Sequence, residues 1–313
     1  PWARISDPAV AYDPLHDVWM ISTLAIDDSV SGAAILTSRS TDGGLTWGDP
    51  VTTSLSSGTF YDKNWITCDT WPQSPHYGNC YIEFDDNSAG NDVTMVTSTD
   101  GGLTWGSLHT IGGSGLGGQP VALPNGTVVV PYTANYGAVY AAVSTDGGNS
   151  WTNHFAANQI SAFDQGMRAE PMPTAEVDSS GRVYVAWSDC VFESGCNTND
   201  IVMSTSTDGV NWSPVVRIPT DPLNSGVDHL VPGLAVDRNT GGSSAHLALT
   251  YYYFPDVNCT VDTCQLDVGF VSSTDGGKTW SSPVQLAGPV KIAGLPLTTQ
   301  GYMVGDYIST SIL

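Results

Sequence analysis

Basic residues are scarce in this sequence, which has nine Lys and Arg against 31 Asp and Glu and a formal net charge of −22. Proteins that bind nucleic acid or anionic membrane surfaces displace counterions with Lys and Arg, so we expect neither partner. A phosphate-binding glycine loop and a dinucleotide-binding fingerprint are also missing, and we expect no cofactor. Apolar runs of about 18 residues do not occur, which argues against a membrane-spanning helix.

Helical periodicity is likewise absent over any long stretch, whereas turn-forming residues are abundant, with 34 Gly and 19 Pro in 313 residues. Short runs rich in Val, Thr and Tyr lie between these turns. This pattern is typical of short strands bounded by turns. The sequence therefore predicts an all-β fold.

The six cysteines fall as near neighbours in three pairs: Cys68/Cys80, Cys190/Cys196 and Cys259/Cys264. Local pairing is the easiest of the possible connectivities to close. Zinc is the competing interpretation, but no Cys-x-x-Cys occurs and no His lies at ligand spacing from a pair. We therefore predict three local disulfides and no metal site, which indicates an oxidising, extracytoplasmic compartment and a secreted protein.

One eight-residue segment, STDGGLTW, occurs at 40–47 and again at 98–105. Three variants follow: STDGGNSW at 144–151, STDGVNW at 206–212 and STDGGKTW at 273–280. Their aspartates are Asp42, Asp100, Asp146, Asp208 and Asp275, spaced 46 to 67 residues apart. Repeats with a period of about 50 residues are typical of solenoids, propellers or arrays.

Each repeat also contains short apolar segments around this motif. In the second repeat three of them precede it, NWITCD, CYIEF and VTMVT, and a fourth follows the motif in other repeats, as in SPVVRI and SPVQLA. Four antiparallel strands repeated around a ring form a β-propeller. We predict one propeller domain over residues 1–313, built of four-stranded antiparallel blades.

The repeated turn has a structural explanation. Its Asp can accept hydrogen bonds from backbone N–H groups of the same turn, Gly allows positive φ, and Trp buries a large apolar area. A catalytic role for these aspartates would require five equivalent active sites, so we expect them to support folding alone. The fourth copy lacks one residue between Asp208 and Trp212, which predicts a tighter turn there.

These repeats resemble the Asp-boxes, or BNR repeats, of the sialidase superfamily, and the resemblance covers nearly the whole chain. That superfamily includes sialidases, other glycosidases, polysaccharide lyases, lectins and non-catalytic modules. The segment GYMVGDYISTSI at 301–312 looks like the innermost strand of a sixth blade, so we expect six blades, with seven as the alternative. The resemblance also places the Asp-box turns on the face away from the binding site.

Polar residues begin the predicted innermost strands, where they would point at the central axis. They are Arg4, Asp7, Tyr61, Asp62, Lys63, Gln119, Arg168, Glu170, Asp228, His229, Tyr302, Asp306 and Tyr307. Three of the nine basic residues and one of only four Glu belong to this group. We predict a ligand site at this axis.

The resemblance implies roles for these residues. Sialidases hold a substrate carboxylate with three arginines, use a Tyr–Glu pair as nucleophile and use an Asp as acid/base. Tyr307 with Glu170 would form the pair, and Asp62 would be the acid/base. The expected substrate-binding residues are Arg4, Lys63, Arg168, His229 and Asp306. Ser6 replaces the proline of the family's Arg-Ile-Pro opening, and a third arginine is missing, which weighs against sialic acid itself.

We therefore expect a secreted glycoside hydrolase whose partner is an oligo- or polysaccharide, with an acidic sugar as one option. One alternative is a uronate lyase, with His229 or Tyr307 as base and Arg168 or Lys63 neutralising the uronate carboxylate. The other is a non-catalytic glycan-binding propeller.

Overall fold

The computed structural model describes residues 2–28, 33–56, 60–87, 90–135, 137–161 and 166–312. Within these ranges the chain forms 22 strands and no α-helix, with short 3-10 turns at Gly242–Ser244 and Ile292–Gly294. The all-β prediction is confirmed. No helix in the described ranges is long and apolar enough to cross a membrane.

The strands form five consecutive four-stranded units, one for each repeat. The first consists of β1 (Arg4–Asp13), β2 (Val18–Ile26), β3 (Ala33–Ser40) and β4 (Val51–Leu55). The second has β5 (Tyr61–Cys68), β6 (Cys80–Asp86), β7 (Asp92–Ser98) and β8 (His109–Leu116). The third has β9 (Val121–Ala122), β10 (Val128–Ala134), β11 (Ala138–Ser144) and β12 (Thr152–Asn158).

Two further units and a short hairpin complete the chain. The fourth unit contains β13 (Thr174–Val177), β14 (Val183–Asp189), β15 (Asp200–Ser206) and β16 (Val216–Arg217). The fifth contains β17 (Asp228–Val236), β18 (Leu247–Phe254), β19 (Gln265–Ser273) and β20 (Val284–Lys291). The hairpin is β21 (Leu297–Thr298) with β22 (Gly301–Tyr302). Each Asp-box connects the third and fourth strands of its unit, as predicted.

The second and third units are not separate sheets, because β8 pairs with β10 as well as with β7. Glycines of β8 permit this close approach. A Cβ at Gly112 would lie 2.5 Å from the hydroxyl of the buried Tyr132 on β10. Gly115 likewise leaves room for the Tyr132 ring. The glycine-rich segment at 112–118 therefore joins two repeats into one eight-stranded sheet.

Three predicted innermost strands differ from those observed. The third unit begins at Val121, so Gln119 lies ahead of its first strand. The fourth unit begins at Thr174, so Arg168 and Glu170 lie ahead of its first strand. Pro171 and Pro173 explain this, because proline lacks the N–H that a strand ladder needs. Residues 303–312 form no ladder either, although Thr310 Oγ1 donates to the Gly233 carbonyl of β17 at 2.7 Å. The number of blades stays a prediction.

The chain packs as two compact units. Unit 1 comprises Pro1–Asn135, Val139–Ala156 and Asp208–Val210, and unit 2 comprises Tyr136–Ala138, Ala157–Thr207 and Asn211–Leu313. A core cluster of unit 1 includes Met20, Ile35, Ile82 and Phe84, all buried. One of unit 2 includes Tyr184, Ile201, Leu249 and Val271. Alternating apolar residues on the strands supply both cores.

The Asp-box turns are closed by their own side chains, as the sequence predicts. In the second box Thr104 donates its backbone N–H to Asp100 Oδ1 at 2.9 Å and its hydroxyl to Oδ2 at 2.5 Å. Gly102 N–H donates to Ser98 Oγ at 2.9 Å. Equivalent contacts hold Asp42, Asp146 and Asp275, and the hydroxyl donors lower the pKa of these three carboxyls to about 2. Each of these carboxylates is thus committed to its own turn.

The fourth box is tighter, as its missing residue predicts. Val210 N–H donates to Asp208 Oδ1 at 2.8 Å, and a β-bridge joins Ser206 to Trp212. In this shorter turn the aspartate therefore accepts a hydrogen bond from the residue two positions further along the chain.

We expect Asp100→Ala to lower the free energy of unfolding by about 1–3 kcal/mol, because the N–H and hydroxyl of Thr104 lose their acceptor. The folded fraction should keep its ligand binding and turnover. Leu103→Ala is the matched control, since Leu103 lies in the same turn and is 55% exposed. Chemical denaturation of the three proteins measures the difference. An Asp100→Ala protein of unchanged stability that has lost activity would contradict a purely structural role.

The three predicted disulfides are confirmed, and no cysteine is left free. Cys68–Cys80 joins directly opposed residues of β5 and β6. Cys190–Cys196 lies between β14 and β15, and Cys259–Cys264 closes the connection between β18 and β19. Disulfides of this kind are compatible with an extracellular protein.

Candidate functional site

The first strands of three units are bulged near their starts, where the sequence predicts site residues. Asp7 in β1, Lys63 in β5 and Val231 in β17 have φ of 49°, 56° and 48°, each at a register shift. Positive φ is especially unfavourable for a β-branched residue such as Val, and strain of this kind costs about 1–3 kcal/mol. Bulges re-aim side chains and are common beside active sites.

A cluster of charged residues surrounds the second of these bulges, within unit 1, and we call it the lysine cluster. It consists of Asp62, Lys63, Glu83 and Asp85. Register places Asp85 opposite Asp62 and Glu83 opposite Trp65. Alternation along β6 puts Glu83 and Asp85 on one face. Lys63, Glu83 and Asp85 are buried, and Asp62 is half-buried.

Glycines close the lysine cluster from the next connection. Gly117 donates its N–H to Asp85 Oδ2 at 3.2 Å. A Cβ at Gly118 would lie 2.6 Å from Glu83 Cδ, so a larger residue would displace the carboxyl. The cluster is therefore built by three segments of unit 1.

Burial raises the pKa of both Glu83 and Asp85 well above the ordinary carboxyl range. The charge of Asp85 raises the pKa of Glu83 further, and the charge of Asp62 raises that of Asp85, whereas Glu83 and Lys63 favour ionisation of Asp85. Two adjacent buried carboxyls with one cation retain a proton near neutral pH. The cluster thus places a bound proton next to Asp62. Sequence reasoning missed Glu83 and Asp85, although two acids at i and i+2 in the apolar strand CYIEFDD were visible.

A second cluster, in unit 2, contains three of the residues predicted at the axis and is named the arginine cluster (Arg168, Tyr302, Met303 and Asp306). Arg168 Nη2 and Asp306 Oδ2 form an ion pair of 3.0 Å. Arg168 N–H also donates to the Tyr302 carbonyl at 2.7 Å, which fixes one segment beside the other. Gly301 permits this approach, because a Cβ there would lie 2.5 Å from the Gly166 carbonyl oxygen. The structure thus brings Arg168 and Asp306 together.

The predicted nucleophile pair lies on the same two segments. Glu170 follows Arg168 by two residues, and Tyr307 follows Asp306 directly. Glu170 Oε2 and the Tyr307 hydroxyl oxygen are both buried atoms. Their pairing with each other stays a prediction.

A third cluster, also in unit 2, contains His229 and is named the histidine cluster (Asp200, Arg217, Asp221, Asp228 and His229). Arg217 Nε lies 2.7 Å from Asp200 Oδ1, and its Nη2 contacts Asp221. His229 Nε2 is 3.8 Å from Asp221 Oδ1, and its Nδ1 lies 3.0 Å from the Asn199 carbonyl. Asn199 in turn donates to Asp228 through its N–H at 2.7 Å and its amide at 3.0 Å.

Burial dominates the electrostatics of the histidine cluster. It raises the pKa of Asp200 to about 7, although Arg217 favours the ionised form, and that of Asp228 to about 6. It lowers the pKa of His229, whose ring is 1% exposed and lies against Tyr251 and Tyr253. His229 is therefore a neutral, buried residue at neutral pH.

The histidine cluster also has the donor set of a metal site, since ligand atoms of Asp200, Asp221 and His229 lie within 4.8 Å of one another. Arg217 already contacts both carboxylates with its guanidinium. A divalent cation would have to bind beside this charge or displace it. The geometry therefore fits a salt-bridge network better than a metal centre.

The Cys190–Cys196 disulfide holds the loop beside this network. Glu193 Oε1 accepts the Asn224 N–H at 3.0 Å, and Asn224 Oδ1 accepts the Ser194 N–H at 2.7 Å. These contacts tie the disulfide loop to the connection that carries Asp221. Local cross-linking thus helps to position the cluster.

The remaining predicted residues differ in exposure. Arg4 is the exposed first residue of β1, whereas Lys63 and His229 are both 1% exposed. Arg4, Asp62 and Lys63 belong to unit 1, and the predicted catalytic and substrate-binding residues of unit 2 are Arg168, Glu170, His229, Asp306 and Tyr307. Burial suits Lys63 and His229 to positioning other groups more than to direct contact with a large substrate.

The raised and lowered carboxyl pKa values predict a stability maximum near pH 4–5. Asp200, Asp228 and Glu176 have folded pKa values of about 6–7. These values exceed the unfolded pKa values near 4. The contribution of these groups to the free energy of unfolding is therefore complete below about pH 4 and declines as pH rises to about 7. The Asp-box carboxyls have a folded pKa of about 2. Their contribution to the free energy of unfolding is therefore present above about pH 4 and is lost as pH falls towards about 2.

Thermal unfolding from pH 3 to 9 at constant ionic strength measures this profile. Asp228→Asn keeps an oxygen acceptor for Asn199 but removes one titrating group, so its Tm should decline less between pH 5 and 8. A Tm that rises over that interval in the unsubstituted protein would contradict the assignment.

Comparison with known proteins identifies the family. Residues 80–235 match the BNR repeat-like domain, and no curated protein sequence matches the chain. The fold is similar to that of the NanB sialidase from Streptococcus pneumoniae, with TM-score 0.57 and 15% identity over 91% of this chain and 62% of that one. The chain belongs to the sialidase-like superfamily of BNR-repeat, or Asp-box, proteins.

Two other structures show the same fold. The intramolecular trans-sialidase from Ruminococcus gnavus matches with TM-score 0.57 and 12% identity, over 91% of this chain and 85% of that one. A protein of unknown function from Dyadobacter fermentans matches with TM-score 0.53 and 12% identity, over 87% and 92%. The chain spans about three fifths of the length of the NanB sialidase structures. At sequence identities of 12–15%, the similarity shows a shared fold alone.

Proposed function

We propose that this chain is a secreted glycoside hydrolase that acts on an oligo- or polysaccharide. Asp62 serves as acid/base, and Tyr307 with Glu170 supplies the nucleophile. The superfamily supports a carbohydrate substrate, and the disulfides support secretion. The lysine cluster carries the proposal, because a glycosidase needs a carboxyl group that holds a proton at neutral pH.

The proposed reaction has two steps. In the first, the Asp62 carboxylic acid protonates the glycosidic oxygen, Glu170 accepts the phenol proton, and the Tyr307 oxygen attacks the anomeric carbon as the leaving group departs. In the second, the Asp62 carboxylate removes a proton from water, which attacks the anomeric carbon, and Tyr307 leaves with the proton of Glu170. Asp85 lies directly opposite Asp62 across β5 and β6, so the buried carboxyls border the proposed acid/base.

The arginine cluster indicates which type of sugar the proposed site would bind. Arg168 is 21% exposed, and Asp306 contacts it through one of its terminal nitrogens. A guanidinium held in this way can form a charge-assisted contact with a sugar carboxylate. Arg4, in unit 1, provides an exposed cation, and the buried Lys63 and His229 position residues within their own clusters. Because a third arginine is missing from the sialidase set, we favour another sugar over sialic acid.

A panel of neutral, sialylated and uronate-containing glycans tests this proposal. Reducing ends released without ultraviolet absorbance of unsaturated uronates are the expected result. Unsaturated products would identify the alternative uronate lyase, and binding without turnover would identify a glycan-binding propeller. Either of these outcomes would replace the hydrolase proposal.

A further inference from the structure

A cavity of about 390 Å³ lies beside the Asp-box turns of the second and third units. Its lining includes His76, Asn79, Thr97, Trp105 and Asn149, all within unit 1. Small-molecule sites have volumes of about 300–1,000 Å³. The lining contains no residue of the lysine cluster, so this cavity is distinct from that part of the proposed active site.

Two polar atoms of the lining residues are buried and have no hydrogen-bond partner in the described part of the chain. They are Trp105 Nε1 and Thr97 Oγ1. Buried polar groups without a partner are costly and uncommon. A ligand that offers one acceptor to the indole N–H, and either an acceptor or a donor to the hydroxyl, would satisfy both.

The Asp-box tryptophans of two other units, Trp151 and Trp280, differ from Trp105 in their hydrogen bonds. Trp151 Nε1 donates to the Gly148 carbonyl at 3.0 Å, and Trp280 Nε1 donates to the Gly277 carbonyl at 3.1 Å. Trp105 occupies the same motif position but makes no such bond. The difference leaves the indole N–H of a residue that lines the cavity without the acceptor that the other two boxes supply internally.

Glycines keep the cavity open. Gly147 and Gly148 belong to the third box, line the cavity and have φ of 73° and 90°. A Cβ at Gly147 would lie 2.8 Å from His76 Nδ1, and one at Gly148 would collide with Thr97 Oγ1. Side chains at these positions would therefore fill the space in front of the two buried donors.

We propose that this cavity binds a neutral pyranose unit of a glycan. An indole ring offers an apolar surface for the C–H face of a sugar together with one N–H donor. Thr97, Asn79 and Asn149 provide the mixed donors and acceptors that sugar hydroxyls require. An anionic ligand is disfavoured, because Asp146 is part of the lining and the chain carries a net charge of −22.

Isothermal titration calorimetry with methyl glucoside, methyl galactoside and methyl N-acetylglucosaminide tests the site, with inorganic phosphate as the anionic probe. We expect saturable binding of at least one glycoside and none of phosphate. Trp105→Phe should raise Kd by about 2- to 10-fold, since it keeps the ring but removes one hydrogen-bond donor. Trp280→Phe is the matched control and should leave Kd unchanged, because it makes the same change in a box of unit 2.

Gly147→Ala is a second variant that blocks the space and should abolish glycoside binding while the protein stays folded by circular dichroism. Thr97→Val keeps the shape of the side chain and should weaken binding as Trp105→Phe does. If Gly147→Ala does not fold, glycoside binding by the Trp105→Phe and Thr97→Val variants is sufficient to test the proposal. Absence of glycoside binding, phosphate binding in its place, or glycoside binding that Trp105→Phe and Thr97→Val leave unchanged would each overturn the proposal.

Discussion

Asp62→Asn should reduce turnover of a cleaved glycan by about 10²–10⁴-fold, the usual contribution of general acid–base catalysis. The amide keeps the size of the side chain but can neither donate a proton to the leaving oxygen nor take one from water. Because the change acts on the chemical step, kcat should fall while KM changes little. Initial rates of reducing-end release over a substrate series measure both parameters.

Two variants separate this effect from general damage. Asp262→Asn makes the same change at an exposed position and should leave kcat unchanged. Glu83→Gln removes one of the two buried carboxyls beside Asp62, so it should shift the alkaline limb of the pH–rate profile, where the general acid loses its proton, and leave a folded enzyme. An Asp62→Asn protein with near-normal kcat would contradict the acid/base assignment.

Arg217→Met should lower the free energy of unfolding at pH 7–8 by about 3–5 kcal/mol, the usual cost of removing one partner from a buried ion pair. The guanidinium is the counterion of Asp200 and Asp221, which are 1% and 10% exposed. Without it two carboxylates are left close together in a poorly solvated environment. The loss should be smaller at pH 5, because burial already raises the pKa of Asp200 to about 7 and the carboxyl can take up a proton.

Arg182→Met is the matched control in the same unit. Its guanidinium donates to the hydroxyl of Thr205 at 3.3 Å and is only half-buried. We expect it to change the unfolding free energy by less than about 1 kcal/mol. Chemical denaturation at both pH values compares the variants. Equal losses for Arg217→Met and Arg182→Met would show that the network does not stabilise the fold.

Features that depend on near neighbours in sequence could be predicted from the sequence alone. The contacts of Asp100 reach no further than four residues along the chain, so the turn motif already specifies them. The disulfides join cysteines 5 to 12 residues apart. The order of the strands followed from the repeats for the same reason. Sheet-forming patterns and turn chemistry agree at each of these places.

Features that depend on distant contacts could not be predicted. Glu83 and Asp85 gain their raised pKa from burial to which Gly117 and Gly118 contribute, more than 30 residues away. Arg217 is a surface residue by its sequence, and only folding places it between Asp200 and Asp221. The buried state of His229 likewise arises from neighbours on other strands. Charged residues change their role when tertiary packing removes them from water.

One difference between the predicted and observed strands could have been recognised from nearby prolines. The expectation that Arg168 and Glu170 begin an innermost strand was wrong, since no strand includes them. Pro171 and Pro173 directly follow and interrupt the ladder. The association of Arg168 with Asp306 nevertheless forms, because the backbone of Arg168 binds that of Tyr302.

The most direct test of the proposed function is the turnover of a cleaved glycan by the Tyr307→Phe, Glu170→Gln double variant. Tyr307→Phe removes a single hydroxyl, and Glu170→Gln removes only the charge that would accept its proton. If these residues supply the nucleophile, kcat should fall by about a hundredfold or more, with an unchanged circular dichroism spectrum. A double variant that cleaves the glycan at a near-normal rate would contradict the mechanism and remove the basis for assigning catalysis to these residues.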